Sequence, residues 1–216
     1  KEFSKTLANV LKYIDFSNIS FFGFKAAGVN LTGYHNITIN PQTIAYKDLS
    51  NSVLNGVKFA SRGYNKDLFE DVLLINTNFT GSVGARIIPE TVRHLAGGKM
   101  DSVTFSSQNN GDMFKDCDLS YMDFTGSYGA IVNPQVIYEK SLKSTNLTDA
   151  LLVRNPSFDD CYVTKTTFSG QDVSLNPQTL RNKTIEHCHF NGVEFIGDDE
   201  MFKDIRILDN DFTGSK

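Results

Sequence analysis

The chain has 216 residues, 40% of them hydrophobic and 21% charged, with a net charge of -4 and a sequence pI near 5.5. That length allows a sizeable core. The acidic balance and the lack of any Lys/Arg cluster exclude partners held mainly through phosphates, whether a nucleic-acid backbone or an anionic membrane surface. No run of 18 apolar residues is present, so the sequence predicts no bilayer span.

The opening residues Lys1-Glu2-Phe3-Ser4-Lys5 are too polar to lead a signal peptide. Cys117, Cys161 and Cys188 form no metal-ligand spacing, and an odd thiol count favours a reducing compartment, so a cytoplasmic protein is expected, unless an N-terminal segment was removed, in which case the compartment stays open. Ser4 to Leu11 reads as a short amphipathic helix, with Ser4 as N-cap and Leu7, Val10 and Leu11 on one face. Residues 1–13 are therefore expected to cap whatever follows.

From Ile14 the text falls into fives: Ile14-Asp15-Phe16-Ser17-Asn18, Ile19-Ser20-Phe21-Phe22-Gly23, Phe24-Lys25-Ala26-Ala27-Gly28 and Val29-Asn30-Leu31-Thr32-Gly33. A helix needs period 3.6 and a strand period 2, so period five demands another geometry. One short extended segment plus a tight turn per five closes a four-sided coil after four fives. The central residue and the one two before it then point inward, and stacked coils pair at about 4.8 Å. This pattern resembles the pentapeptide-repeat family, built on Ala-(Asp/Asn)-Leu-x-x. Its best copies here are Val29-Asn30-Leu31-Thr32-Gly33 and Thr145-Asn146-Leu147-Thr148-Asp149. The resemblance implies an all-β fold, a right-handed quadrilateral parallel β-helix, over residues 14–216.

A longer period is superimposed. The stretch Phe114 to Gly126 returns as Phe69 to Gly81, Phe158 to Gly170 and Phe202 to Gly214, and more loosely as Phe21 to Gly33. Gly33, Gly81, Gly126, Gly170 and Gly214 follow one another at 48, 45, 44 and 44 residues. Pro41, Pro89, Pro134 and Pro177 mark a further equivalent position, a bulged corner where the missing N–H does no harm. The unit is therefore two coils of 43–48 residues, and about nine coils at about 4.8 Å make a rod of roughly 43 Å. This register stacks Phe21, Phe69, Phe114, Phe158 and Phe202 on one wall and Leu31, Phe79, Phe124, Phe168 and Phe212 on another. The cysteines point inward, with Cys117 and Cys161 about 9.6 Å apart, too far to bridge.

Few residues carry the signs of chemistry. Asp71, Asp116, Asp160 and Asp204 form a carboxylate column at one corner, which reads as turn chemistry. His187 and His189 flank Cys188 with no third metal ligand placed by sequence. Tyr46, Tyr64 and Tyr138 are candidates for an exposed aromatic strip facing a protein partner. Six Asn-x-Ser/Thr sites, at Asn18, Asn30, Asn36, Asn78, Asn146 and Asn182, arise mostly from the repeat itself. No nucleophile elbow, phosphate loop or Cys-x-x-Cys is present, so neither an enzyme nor a cofactor is expected.

The expected function is a non-enzymatic scaffold that binds a protein, touching neither nucleic acid nor membrane directly. The family resemblance implies an alternative, mimicry of duplex DNA directed at DNA gyrase or another type II topoisomerase. A duplex of about 43 Å carries about 25 charges at one per about 1.7 Å, against a net -4 here. A further alternative is the β-helix domain of a larger effector or adaptor. Asp211-Phe212-Thr213-Gly214-Ser215-Lys216 lies in mid-coil, and an uncovered ladder there predicts either that the natural protein continues or that two copies pair end to end.

Overall fold

A computed structural model describes residues 13–60, 68–107, 112–168 and 173–216. The expected capping helix and the loop carrying Tyr64 lie outside the described residues, apart from Tyr13. The chain is all-β, a solenoid of about eight turns. Among the described residues, helix is limited to three-residue 3-10 turns such as Ala45–Lys47 and Tyr138–Lys140.

The strands are short and pair in parallel. They are β1 (Thr38–Ile39), β2 (Lys58–Phe59), β3 (Leu73–Ile75), β4 (Arg86–Ile87), β5 (His94–Lys99), β6 (Thr104–Phe105), β7 (Asp118–Asp123), β8 (Ile131–Val132), β9 (Leu151–Leu152), β10 (Val173–Leu175), β11 (Thr184–Glu186), β12 (Val193–Phe195) and β13 (Arg206–Leu208). One column of parallel bridges runs the length of the molecule: Asn30, Val53, Asn78, Lys99, Asp123, Asn146, Thr167, His189 and Asp211. Nine rungs make eight rises, which is why the turns number about eight where nine coils are counted in the sequence. The rungs span about 38 Å at about 4.8 Å each.

Each turn sends side chains inward from four walls. Wall 1 carries Phe69, Phe114, Ile137, Phe158 and Leu180; wall 2 carries Leu49, Leu74, Leu95, Leu119, Leu142, Val163 and Ile185. Wall 3 carries Leu54, Phe79, Met100, Phe124, Leu147, Phe168 and Phe190, and wall 4 carries Phe59, Ile87, Phe105, Val132 and Leu175; all are buried. Leu31 is buried too, whereas Phe21, Phe202 and Phe212, in the outermost turns, are only partly covered. Through the middle of the rod thick and thin layers alternate. Phe59, Phe69 and Phe79 meet with centroids 5.2–5.8 Å apart, and Phe105, Phe114 and Phe124 repeat the cluster at 5.3–5.8 Å. Between them lies the aliphatic layer of Ile87, Leu95 and Met100. Alternating large and small layers interdigitate, which gives the two-turn period a packing cause.

The period of five has a backbone cause. After each short extended segment the chain must turn, and it does so through a residue with positive φ. The corner between walls 2 and 3 is held by Gly28, Asn51, Asn76, Gly97, Tyr121, Ser144, Lys165, His187 and Asp209, all with φ of 49–72°. The next corner holds Gly33, Gly56, Gly81, Ser102, Gly126, Asp149, Gly192 and Gly214. Gly, Asn and Asp reach this left-handed region at least cost, so they recur at these steps. Asn30, Asn78 and Asn146 turn their side-chain oxygens onto the backbone N–H two residues on, at 2.9–3.0 Å, a local turn bond that accounts for these Asn-x-Thr triplets.

The extra residues of each unit fall in two places. The prolines Pro41, Pro89, Pro134 and Pro177 are buried at the corner after wall 4. A second detour, not foreseen, lies just before it on wall 4. There Lys58 pairs with Thr38 on one side and Val83 on the other, whereas Thr104 pairs with Arg86 and Tyr128. The shift of three residues is made through Asn36, Gly84 and Gly129, with φ of 59°, 78° and 77°. A Cβ on Gly84 or Gly129 would lie 2.8 or 2.7 Å from the carbonyl oxygen of Phe59 or Phe105, so only glycine fits there.

Candidate interaction surface

Inside the walls runs a polar seam. Thr77, Thr145 and Thr166 donate from Oγ1 to the carbonyls of Leu49, Leu119 and Leu142, each on wall 2 one turn earlier, at 3.0, 2.8 and 2.6 Å. Cys188 donates in the same way to Val163, and Asn210 Nδ2 to Ile185 at 2.8 Å. Cys117 and Cys161 are likewise buried, and all three thiols are free. Burial pushes them up to about 12, 12 and 11 respectively, so they are packing groups and not nucleophiles.

The proline corners contain a clamp. Asn40, Asn133 and Asn176 accept the N–H of Gln42, Gln135 and Gln178 at 3.0–3.1 Å. The glutamine amides then reach the next turn: Gln42 donates to Leu68 and Glu70, Gln135 to Ser157 and Asp159, and Gln178 to Met201 and Lys203. In the second unit Ile88 and Glu90 replace the pair, and a carboxylate cannot donate. The recurring Asn-Pro-Gln was the available signal, though a proline alone suggests only a kink.

The carboxylate column is placed at a corner as expected, with Asp71, Asp116, Asp160 and Asp204 at φ of 57–60°. It is not a uniform acidic stripe. Arg93 Nε and Nη2 donate to both oxygens of Asp71 at 2.9 and 3.1 Å, with Lys47 at 3.7 Å, and Arg181 bonds Asp160 at 3.2 Å. The arginines hold both carboxyls below their ordinary range. Asp116 and Asp204 form no ion pair among the described residues. The partners come from the intervening turn, whose offset the spacing of the aspartates does not reveal.

Tyr46 and Tyr138 are exposed at 77% and 51%, but they do not form one strip. Tyr46 takes the positive-φ step that Glu139 and Asn182 take in later units, whereas Tyr138 precedes that step. They stand four turns apart, about 19 Å. Sequence reasoning missed Tyr121, 60% exposed at a positive-φ corner, and Tyr128, 76% exposed on wall 4. For Tyr121 the signal was an aromatic residue at a corner step that Gly28, Asn51, Asn76 and Gly97 hold in earlier turns; Tyr128, paired with Thr104 on wall 4, carried no such signal.

His187 and His189 face Asp209 and Asp211 of the following turn at 3.7 and 3.5 Å. No group of three or more His, Cys, Asp or Glu arranged to hold a metal occurs among the described residues. At the C-terminal end Phe195, Met201, Phe202, Ile207 and Phe212 line an apolar concavity of about 480 Å³. No helix among the described residues is long and apolar enough to cross a membrane. Comparison with protein-family models, curated proteins and solved structures finds no match.

Proposed function

We propose that the chain is a pentapeptide-repeat solenoid, right-handed and four-sided, that serves as a scaffold for binding another protein. One observation carries this reading: large aromatic side chains stand exposed on the outside of rigid turns. Tyr46, Tyr121 and Tyr128 are 77%, 60% and 76% exposed, and two of them, Tyr46 and Tyr121, sit at φ of 60° and 64°. A bulky residue there costs roughly 1–2 kcal/mol, and tyrosine is a frequent anchor of protein interfaces. Replacing Tyr46, Tyr121, Tyr128 and Tyr138 together by Ser is expected to leave unfolding stability within about 1 kcal/mol of the parent. A loss well above that in urea denaturation would assign the rings to the fold instead.

The pairing of Asp71 and Asp160 with arginines, and the low net charge, count against mimicry of duplex DNA. The chain is accordingly expected to leave gyrase supercoiling unchanged at micromolar concentration; inhibition that is lost when the four corner aspartates are changed to Asn would revive that alternative.

A further inference from the structure

The edge between walls 2 and 3 collects a short cationic ridge in a protein whose net charge is negative. Tyr121 donates its backbone N–H to the Lys143 carbonyl of the next turn at 3.0 Å, and Ser144 donates to Thr164 at 2.8 Å. Lys165 in turn donates to Glu186 at 2.7 Å, just before His187. Tyr121, Lys143, Lys165 and His187 thus rise through four successive turns, about 14 Å. The Lys143 ammonium lies 5.6 Å from the centre of the Tyr121 ring, a cation–π distance.

Several carboxylates of these turns have contacts of their own. Asp118 accepts the N–H of Ser120 at 2.9 Å, Asp160 is held by Arg181, Glu186 by Arg206, and Asp209 faces His187. Neither Lys143 nor Lys165 has a carboxylate partner among the described residues. Tyr121 is set at its base at a positive φ, the corner step that Ser144, Lys165 and His187 take in the turns that follow, so its exposed ring and not its backbone sets it apart.

We infer that this ridge docks an acidic, extended segment of a partner protein, its carboxylates on Lys143 and Lys165 and an apolar side chain on the Tyr121 ring. The inference rests on the scaffold reading and gives it a face and a partner chemistry. A nucleic-acid strand is the weaker fit, because two lysines neutralise few phosphates and the chain as a whole is acidic.

The test is fluorescence anisotropy with three labelled probes: a 12-residue peptide alternating Glu and Leu, its Lys and Leu counterpart, and a 15-nucleotide oligothymidylate. The Glu/Leu peptide is expected to bind, more weakly as salt is raised, while the other two do not. Lys143→Glu with Lys165→Glu should weaken it at least about tenfold, the equivalent of about 1.4 kcal/mol. Tyr121→Asn should weaken it several-fold while raising the melting temperature, an opposite pairing that a merely structural tyrosine would not give. Lys143→Gln with Lys165→Gln serves if the charge reversal disturbs folding, and Lys25→Glu should change nothing. Oligothymidylate binding more tightly than the peptide, or peptide binding indifferent to both lysine pairs, overturns the inference. Failure here with the four-tyrosine variant still stable leaves the scaffold reading standing.

Discussion

Phe114→Ala is expected to destabilise the solenoid by about 3–5 kcal/mol, measured as a fall in the urea midpoint. The ring is fully buried and meets Phe105 at 5.3 Å and Phe124 at 5.5 Å, both edge-on. Removing it leaves a cavity between two flat layers that cannot collapse, because each turn is pinned by backbone bonds to those on either side. The change also falls in mid-rod, and a stack held by nearest-neighbour contacts unfolds in parts when one interface is weakened. Two resolved transitions are therefore a further expected sign. Phe22→Ala, at a ring 80% exposed, is the control and should shift stability by no more than about 0.5 kcal/mol. A loss under about 1 kcal/mol for Phe114→Ala would show that the stacked rings do not carry the fold.

Gly98→Ala is expected to be nearly as damaging, although it adds a single methyl. Gly98 has φ of 93°, and a Cβ there would lie 2.3 Å from the carbonyl oxygen and 2.9 Å from the nitrogen of Thr77. Both are main-chain atoms of the adjoining turn, so nothing can swing aside. The backbone conformation alone costs an L-residue roughly 1–2 kcal/mol, and parting two paired turns adds to it. The register between β5 and β7 already slips between Ala96 and Gly98. A melting temperature unchanged by Gly98→Ala would mean that β5 can move away from Thr77, contrary to the close approach described.

Much of this was legible in the residues. Every fifth Phe, Leu or Val marks a buried wall position, because an inward side chain must be apolar whatever the turn around it. The two-turn unit was visible in Gly33, Gly81 and Gly126. The three-residue detour at Gly84 and Gly129 was not, since Gly and Ser suit either an ordinary corner or a displaced one, and only pairing with the turns on both sides separates them. Tyr46 and Tyr138 illustrate the same limit. Both follow Asn-Pro-Gln closely, yet one step along a corner changes the sign of φ and with it the direction of the ring. Ion pairs such as Arg93 with Asp71 join residues 22 apart in the chain, a separation that depends on how many residues each corner absorbs.

The seam of Thr77, Thr145, Thr166, Cys188 and Asn210 reaches only one turn back. Along this seam each layer therefore recognises its immediate predecessor. A molecule made this way can lengthen by duplicating a segment: copying the 45 residues from Gly81 to Thr125 would present every old contact to a new neighbour of the same kind. Growth of that sort asks for no redesign of the interior and leaves the outward corners free to diverge.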